Sequence, residues 1–409
     1  MRVSLSPVAL FLYVWLLQII CFSVGVSHIL LPLQDLSVLQ VSIFPISLAA
    51  YTLGTLFVRA LPRKNSTVKV SHMLSENHRY YFVQNKISKY IGLLLFLVFV
   101  VAAYNCFKFG YPPLINMVFN TAAEYTYMTY GSFKNVIFAA CMLTPLIALY
   151  DKRVKYKYGV IIVSFGVLIL YGARGPIVQG ILQLILFYAI KNNGRMSLKS
   201  FFYVLLSAFF IVFIMGWIGA LRTGTNAMYS ALLIRREFYD WPSGMVWVLA
   251  YIAMPLQNLF SLVASNFHDF KMGDTTLFTL VPGFLHPFLF GHSVAEIWTN
   301  IIQNYFPDVN NTVSTYLGGI YVDFGWPGMV VYNFLIGMVG SIIYFYQKLR
   351  GDNFISILYA IWSSGIMLML FFNMFVLPSF LLEIVFLLVI YRGMRRRTVL
   401  LLKDPMPHL

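Results

Sequence analysis

Residues 159–190 read GVIIVSFGVLILYGARGPIVQGILQLILFYAI, and Arg174 is the only ionisable side chain among these 32 residues apart from tyrosine hydroxyls. Each apolar run beside it has about 15–16 residues, roughly 24 Å as helix, against about 30 Å of bilayer hydrocarbon. Gly172, Gly175 and Pro176 mark a tight turn, with the proline in the first turn of the second helix. The stretch predicts a helical hairpin in a membrane, its turn recessed below the surface. A recessed guanidinium costs several kcal/mol unless it meets an anion, and it cannot shed its proton. The helix N-terminus adds partial positive charge at the same spot, so Arg174 is a candidate anion site. The alternative is an arginine that snorkels to lipid phosphates.

The rest of the chain continues the pattern. Of 409 residues, 60% are hydrophobic and 11% charged, whereas soluble domains carry about 25% charged residues. Apolar runs predict spans near 7–27, 37–58, 90–106, 135–150, 158–172, 176–190, 200–220, 326–346, 354–373 and 375–391. Continuous runs rather than short alternating segments exclude a β-barrel. The fold class is an all-α polytopic membrane protein, with residues 1–409 as a single integral membrane domain. Arg2 followed by an apolar run without a small-residue cleavage site predicts a retained first span.

The net charge of +15 reflects orientation in a bilayer and not nucleic-acid binding, because the basic residues cluster between spans. With the N-terminus cytoplasmic, segments 59–89, 151–157, 191–199, 347–353 and the tail after 391, with Arg2, hold 22 of the 29 lysines and arginines. Segment 221–316 must then contain zero or two crossings. Runs 245–264 and 276–291 are either a pair, making twelve spans, or part of an outer layer of re-entrant or interfacial helices. The breaks at Pro282, Gly283, Pro287 and Gly291 favour the layer, giving an external region at 221–325.

The outward-facing polar residues carry the candidate chemistry. A diphosphate needs several bidentate donors, which Arg supplies better than Lys. Arg222 in GALRTGTN, and Arg235 and Arg236 in LLIRREFYDW, are such donors; alternatively the latter two pair with Glu237 and Asp240. His286 and His292, in GFLHPFLFGHS, are candidate general bases or structural imidazoles. In NNTVSTYLGGIYVDFGWPG, residues 310–328, a polar cluster including Asn311 and Ser314 precedes Tyr316, Tyr321, Phe324 and Trp326. Those aromatics suit a membrane interface or stacking on sugar rings. Asp323 either accepts a sugar hydroxyl proton or caps a helix beginning near Trp326. Cys21, Cys106 and Cys141 give neither a disulfide framework nor a zinc site. There is no phosphate-binding loop, no Asp-x-Asp in a soluble domain and no metal-ligand cluster, which disfavours pumps, soluble-donor glycosyltransferases and metallohydrolases.

YGARGP between two short spans, LVPGFLHP in the external segment, and VSTYLGGIYVDFGWPG before a late span together resemble the Wzy family of O-antigen or capsular repeat-unit polymerases. The topology resembles the family over most of the chain; the motifs cover about 170–180 and 280–337. The resemblance implies a membrane glycosyltransferase of the C class at the periplasmic face of the bacterial inner membrane, using undecaprenyl-diphosphate-linked oligosaccharide as donor and acceptor. It implies no metal or cofactor, and a chain-length regulator and a flippase as pathway partners. It implies that external arginines stabilise the leaving diphosphate, while His286, His292 or Asp323 assists the acceptor hydroxyl. Some members carry Arg followed eleven positions later by Gly in two external loops; here Ile185 and Leu233 stand at that distance from Arg174 and Arg222. An O-antigen ligase is the nearest enzyme alternative. A lipid-linked oligosaccharide flippase is the alternative from another class, but it would place charges deep in several spans.

Overall fold

The computed structural model describes residues 2–61, 76–112, 114–115, 133–150, 154–191, 195–197, 206, 213, 225–265, 267–276, 281, 294–307, 313–350 and 352–401. In chain order the helices are α1 (Pro7–Ser23), α2 (Val38–Ala60), α3 (Glu76–Phe109), α4 (Phe133–Tyr150), α5 (Lys157–Leu170) and α6 (Arg174–Lys191). They continue with α7 (Thr225–Ala231), α8 (Ser243–Ala264), α9 (Val294–Tyr305), α10 (Tyr316–Arg350), α11 (Asn353–Leu368) and α12 (Pro378–Leu401). Two three-residue strands, β1 (Arg2–Ser4) and β2 (Arg195–Ser197), form an antiparallel ribbon. Among the described residues, five helices are long and apolar enough to cross a membrane, and α1, α5 and α11 are shorter apolar helices. The protein is an all-α multi-pass membrane protein. The expected runs 200–220 and 276–291 lie outside the described residues except for 206, 213, 276 and 281.

The chain divides into two compact units: residues 1–60, 185–351 and 359–377 form the first, and 61–184, 352–358 and 378–409 the second. In the first, α10 packs along α2 through glycines. A Cβ on Gly54 would strike the Phe334 carbonyl, and one on Gly337 would strike the Tyr51 carbonyl. Lipid tails are as apolar as leucine, so helices in a membrane associate through such close backbone approach. Phe11 stacks on Tyr51 with centroids 4.2 Å apart, and Trp15 meets Phe44 edge-on at 4.9 Å, seating α1 on α2.

Helix α8 shows how that unit is finished at one end. Within α8, the Ile252 carbonyl accepts from Gln18 Nε2 (3.2 Å), Gln257 Oε1 from the Leu31 N–H (2.9 Å), and the Phe260 carbonyl from Gln40 Nε2 (3.1 Å). The Phe260 ring meets Phe22 and Phe44 edge-on. These partners lie in the second half of α1, in the connection after it and at the start of α2, and α8 is itself one of the helices long and apolar enough to cross a membrane.

Helix α10 begins at Tyr316, ten residues before the expected start. Its exposed-end problem is solved by tertiary partners: the Thr315 N–H donates to the Pro255 carbonyl (3.3 Å) and the Tyr316 N–H to the Met369 carbonyl (2.9 Å). As one straight helix its 35 residues would run roughly 50 Å, beyond the hydrocarbon thickness. Gly325, at φ 61° and ψ −151°, breaks it into two helical segments.

In the second unit, α4 is the central element. It is buried almost continuously from Ile137 to Ala148 and packs against α3, α5 and α12.

Candidate functional site

In the second unit, the turn that carries Arg174 is a Schellman motif. The Ala173 N–H donates to the Leu168 carbonyl (3.0 Å) and the Gly172 N–H to the Ile169 carbonyl (2.9 Å), with Gly172 at φ +61°. Buried Ala173 immediately precedes α6, its carbonyl accepting from the Ile177 N–H at 3.0 Å. Arg174 is therefore the first residue of α6; its N–H donates to the Gly172 carbonyl (3.0 Å), and its exposed guanidinium has no hydrogen bond or ion pair among the described residues. Tyr171 braces the turn, its hydroxyl accepting from buried Asn105 at 3.2 Å and its ring meeting Phe138 edge-on. A charged, unpaired guanidinium at a helix N-terminus is a geometry that receives an anion.

Below that turn lies a residue the sequence reading passed over. Glu383, fully buried in α12, accepts through Oε2 from Gln183 (2.9 Å) and from Gln179 (3.4 Å), both buried on α6. Glu383 Oε1 and Gln183 Oε1 have no hydrogen-bond partner among the described residues. The signal was present: a lone carboxylate in the apolar run 375–391, and two glutamines four residues apart on a facing helix.

In the first unit, the described part of that motif, residues 313–328, is a docking strip for loop 267–276. Asp323 Oδ1 accepts from the Thr275 N–H at 3.0 Å; Oδ2 accepts from the Thr276 N–H at 2.8 Å and from its hydroxyl at 2.5 Å. The Lys271 and Met272 N–H groups donate to the Val322 and Asp323 carbonyls, and the Thr275 hydroxyl to the Gly319 carbonyl (3.0 Å). The glycines make room: a Cβ on Gly319 would press on Thr275 and Thr276, and one on Gly325 would lie 2.8 Å from the Phe270 ring.

This corrects three expectations. Asp323 is fully buried with both oxygens engaged, so it neither caps a helix near Trp326 nor presents a free oxygen to a hydroxyl. Tyr316 and Tyr321 are core residues, 2% and 4% exposed, and cannot stack on a sugar. The Tyr316 hydroxyl bonds Asn333 Oδ1, and Tyr321 meets half-buried Trp326 edge-on. Ser314 is buried against Gly318. Elsewhere in this unit a cleft of about 240 Å³ is lined by Phe267, Asp269, Lys271, Asn300, Ile301 and Tyr305, among others. Tyr305 meets Phe267 edge-on at 5.1 Å, and Asp269 pairs with Lys271.

Arg235 and Arg236 do not act as a pair. Arg236 is exposed in a 3₁₀ turn, while Arg235 lies against Gly25, and neither pairs with Glu237 or Asp240. Arg222, His286, His292 and Asn311 lie outside the described residues.

Comparison with curated proteins and with solved structures gave no match. A family model described as "Putative O-antigen polymerase" matches residues 6–377. That match covers nearly the whole chain, including the Arg174 turn and the Asp323 strip, and the chain belongs to the O-antigen polymerase family.

Proposed function

We propose that this polymerase joins oligosaccharide repeat units carried on undecaprenyl diphosphate, at the periplasmic face of the bacterial inner membrane. The observation that carries the reading is Arg174: exposed, unpaired and first in α6 after a rigid Schellman turn. In the proposed reaction an acceptor sugar hydroxyl attacks the anomeric carbon of the donor. The bond from that carbon to the diphosphate oxygen breaks, and the lipid diphosphate leaves with the electron pair. Arg174 neutralises the charge developing on that oxygen, with Arg222 as second donor. His286 or His292 receives the hydroxyl proton. Asp323 is a positioning residue, because the loop it anchors leads directly into the segment bearing both histidines.

Sidedness is supported by which connections meet. Residues 25–28 pair with 232–235, and residues 255 and 369 meet the head of α10; charge distribution places each of these in the external region or toward the outer end of a span. Strand β1 pairs with β2, and both fall in segments assigned inside. The cleft between Tyr305, Asn300 and Asp269 supplies an aromatic face and planar polar groups suited to a sugar ring.

The deciding experiment is gel banding of surface polysaccharide from a deletion strain. A single capped repeat is the expected result. No surface sugar would instead indicate a flippase, and lipid-linked polymer left untransferred would indicate a ligase.

A further inference from the structure

A cleft of about 410 Å³ opens where α1 turns toward α2. Its apolar walls include Phe22, Val24, Leu30, Leu31 and Leu33, and among the described residues its one charged lining residue is Arg235. The chain builds this position from both sides. The Arg235 N–H donates to the Val26 carbonyl (3.1 Å), the Ser27 hydroxyl donates to the Leu232 carbonyl (2.6 Å), and Ser27 pairs with Ile234. Gly25, whose φ of +64° suits the turn, lies beside the guanidinium: a Cβ there would meet its atoms at 3.6–3.8 Å, ordinary contact distance. Arg235 Nε is buried and has no hydrogen-bond partner among the described residues. The nearest acids in sequence, Asp35, Glu237 and Asp240, are exposed and do not line the cleft.

A guanidinium atom taken out of water without a partner is costly, and an anion restores the balance. We propose that the cleft holds the phosphodiester headgroup of an anionic bilayer phospholipid. Arg235 contacts the phosphate, and the apolar walls cover the first methylenes of the acyl chains. One cation matches the single charge of a phosphodiester, whereas a diphosphate calls for several donors, and Arg236 lies outside the cleft. The site faces the helix ends of a protein whose natural solvent is lipid, so the ligand is at hand in the bilayer. This inference stands apart from the proposed reaction.

Native mass spectrometry of the purified full-length protein, offered phosphatidylglycerol, phosphatidylcholine or an isoprenyl monophosphate at equal concentration, tests it. Wild-type protein retains phosphatidylglycerol about tenfold better than phosphatidylcholine, as expected for one charge-assisted contact. Arg235→Gln removes the preference and Arg235→Lys keeps most of it. Leu31→Trp, at an exposed wall position, blocks retention with the guanidinium still present. Equal retention of the two phospholipids by wild type would overturn the proposal, as would undiminished phosphatidylglycerol on Arg235→Gln or Leu31→Trp. Preferential retention of the isoprenyl phosphate would overturn it too, by assigning the cleft to a lipid-linked substrate. Because the readout is lipid retention, failure leaves the polymerase reading untouched.

Discussion

The Asp323 carboxylate and Thr276 are joined twice, through the threonine N–H at 2.8 Å and its hydroxyl at 2.5 Å. With the Thr275 N–H on the other oxygen, three donors converge on one fully buried charge. The loop therefore depends on the carboxylate for its place, and the carboxylate depends on the loop for its solvation.

Asp323→Ala strands those donors, each unsatisfied one costing about 1–3 kcal/mol. A melting temperature several degrees below wild type is expected in detergent, with protease cleavage appearing within 267–276. Thr276→Ala, which keeps both backbone donors, is expected to lose only about 1 kcal/mol. An unchanged melting temperature for Asp323→Ala would contradict the dock.

Gly325 carries two separable demands. Its φ of +61° disfavours any Cβ by about 1–2 kcal/mol, and Phe270 fills the space a methyl would take. Gly325→Ala is expected to destabilise the protein, and adding Phe270→Ala to recover part of that loss. The double-mutant cycle measures the steric share; if the two losses simply add, the ring is not in contact.

Arg174→Ala is expected to leave the protein at wild-type level in the membrane while long polysaccharide chains disappear. Arg174→Lys is expected to fail as well, because a point charge cannot make the planar two-pronged contact. Full-length chains from either variant, read by gel banding, would remove Arg174 from the leaving-group role.

Glu383 makes a stability prediction. Glu383→Leu leaves the Gln179 and Gln183 amides buried without their shared acceptor, at about 2–4 kcal/mol. Glu383→Gln retains an acceptor and is expected to stay near wild type. Replacing all three residues by leucine is expected to recover most of the stability, since an all-apolar contact has nothing left unsatisfied. Thermal denaturation in detergent orders the four proteins.

Much of the helical architecture was legible along the chain. Runs 135–150 and 158–172 became α4 and α5 with bounds shifted by two residues or fewer. Run 354–373 ended early, at Leu368, because residues 369–377 turn through a 3₁₀ segment that Asn373 caps and Pro378 restarts as α12. The error at α10 was larger. Its first turns hold Gly318, Gly319 and polar neighbours that disfavour an isolated helix, yet tertiary carbonyls satisfy its head and the glycines are where a loop docks.

By itself the sequence determined a greasy, multi-pass helical protein and a glycine-proline turn that presents Arg174. Hydrophobic burial and turn chemistry act over a few residues, so they are written locally. What only the tertiary structure decided is which polar groups are used up in holding the fold. Asp323 and its threonines are 47–48 residues apart, and Glu383 and Gln183 are 200 apart. A hydrogen bond acts over about 3 Å of space whatever the distance in sequence. So an acid that reads as a catalyst proves to be an anchor, and one buried in an apolar run proves to be the hub of a polar cluster.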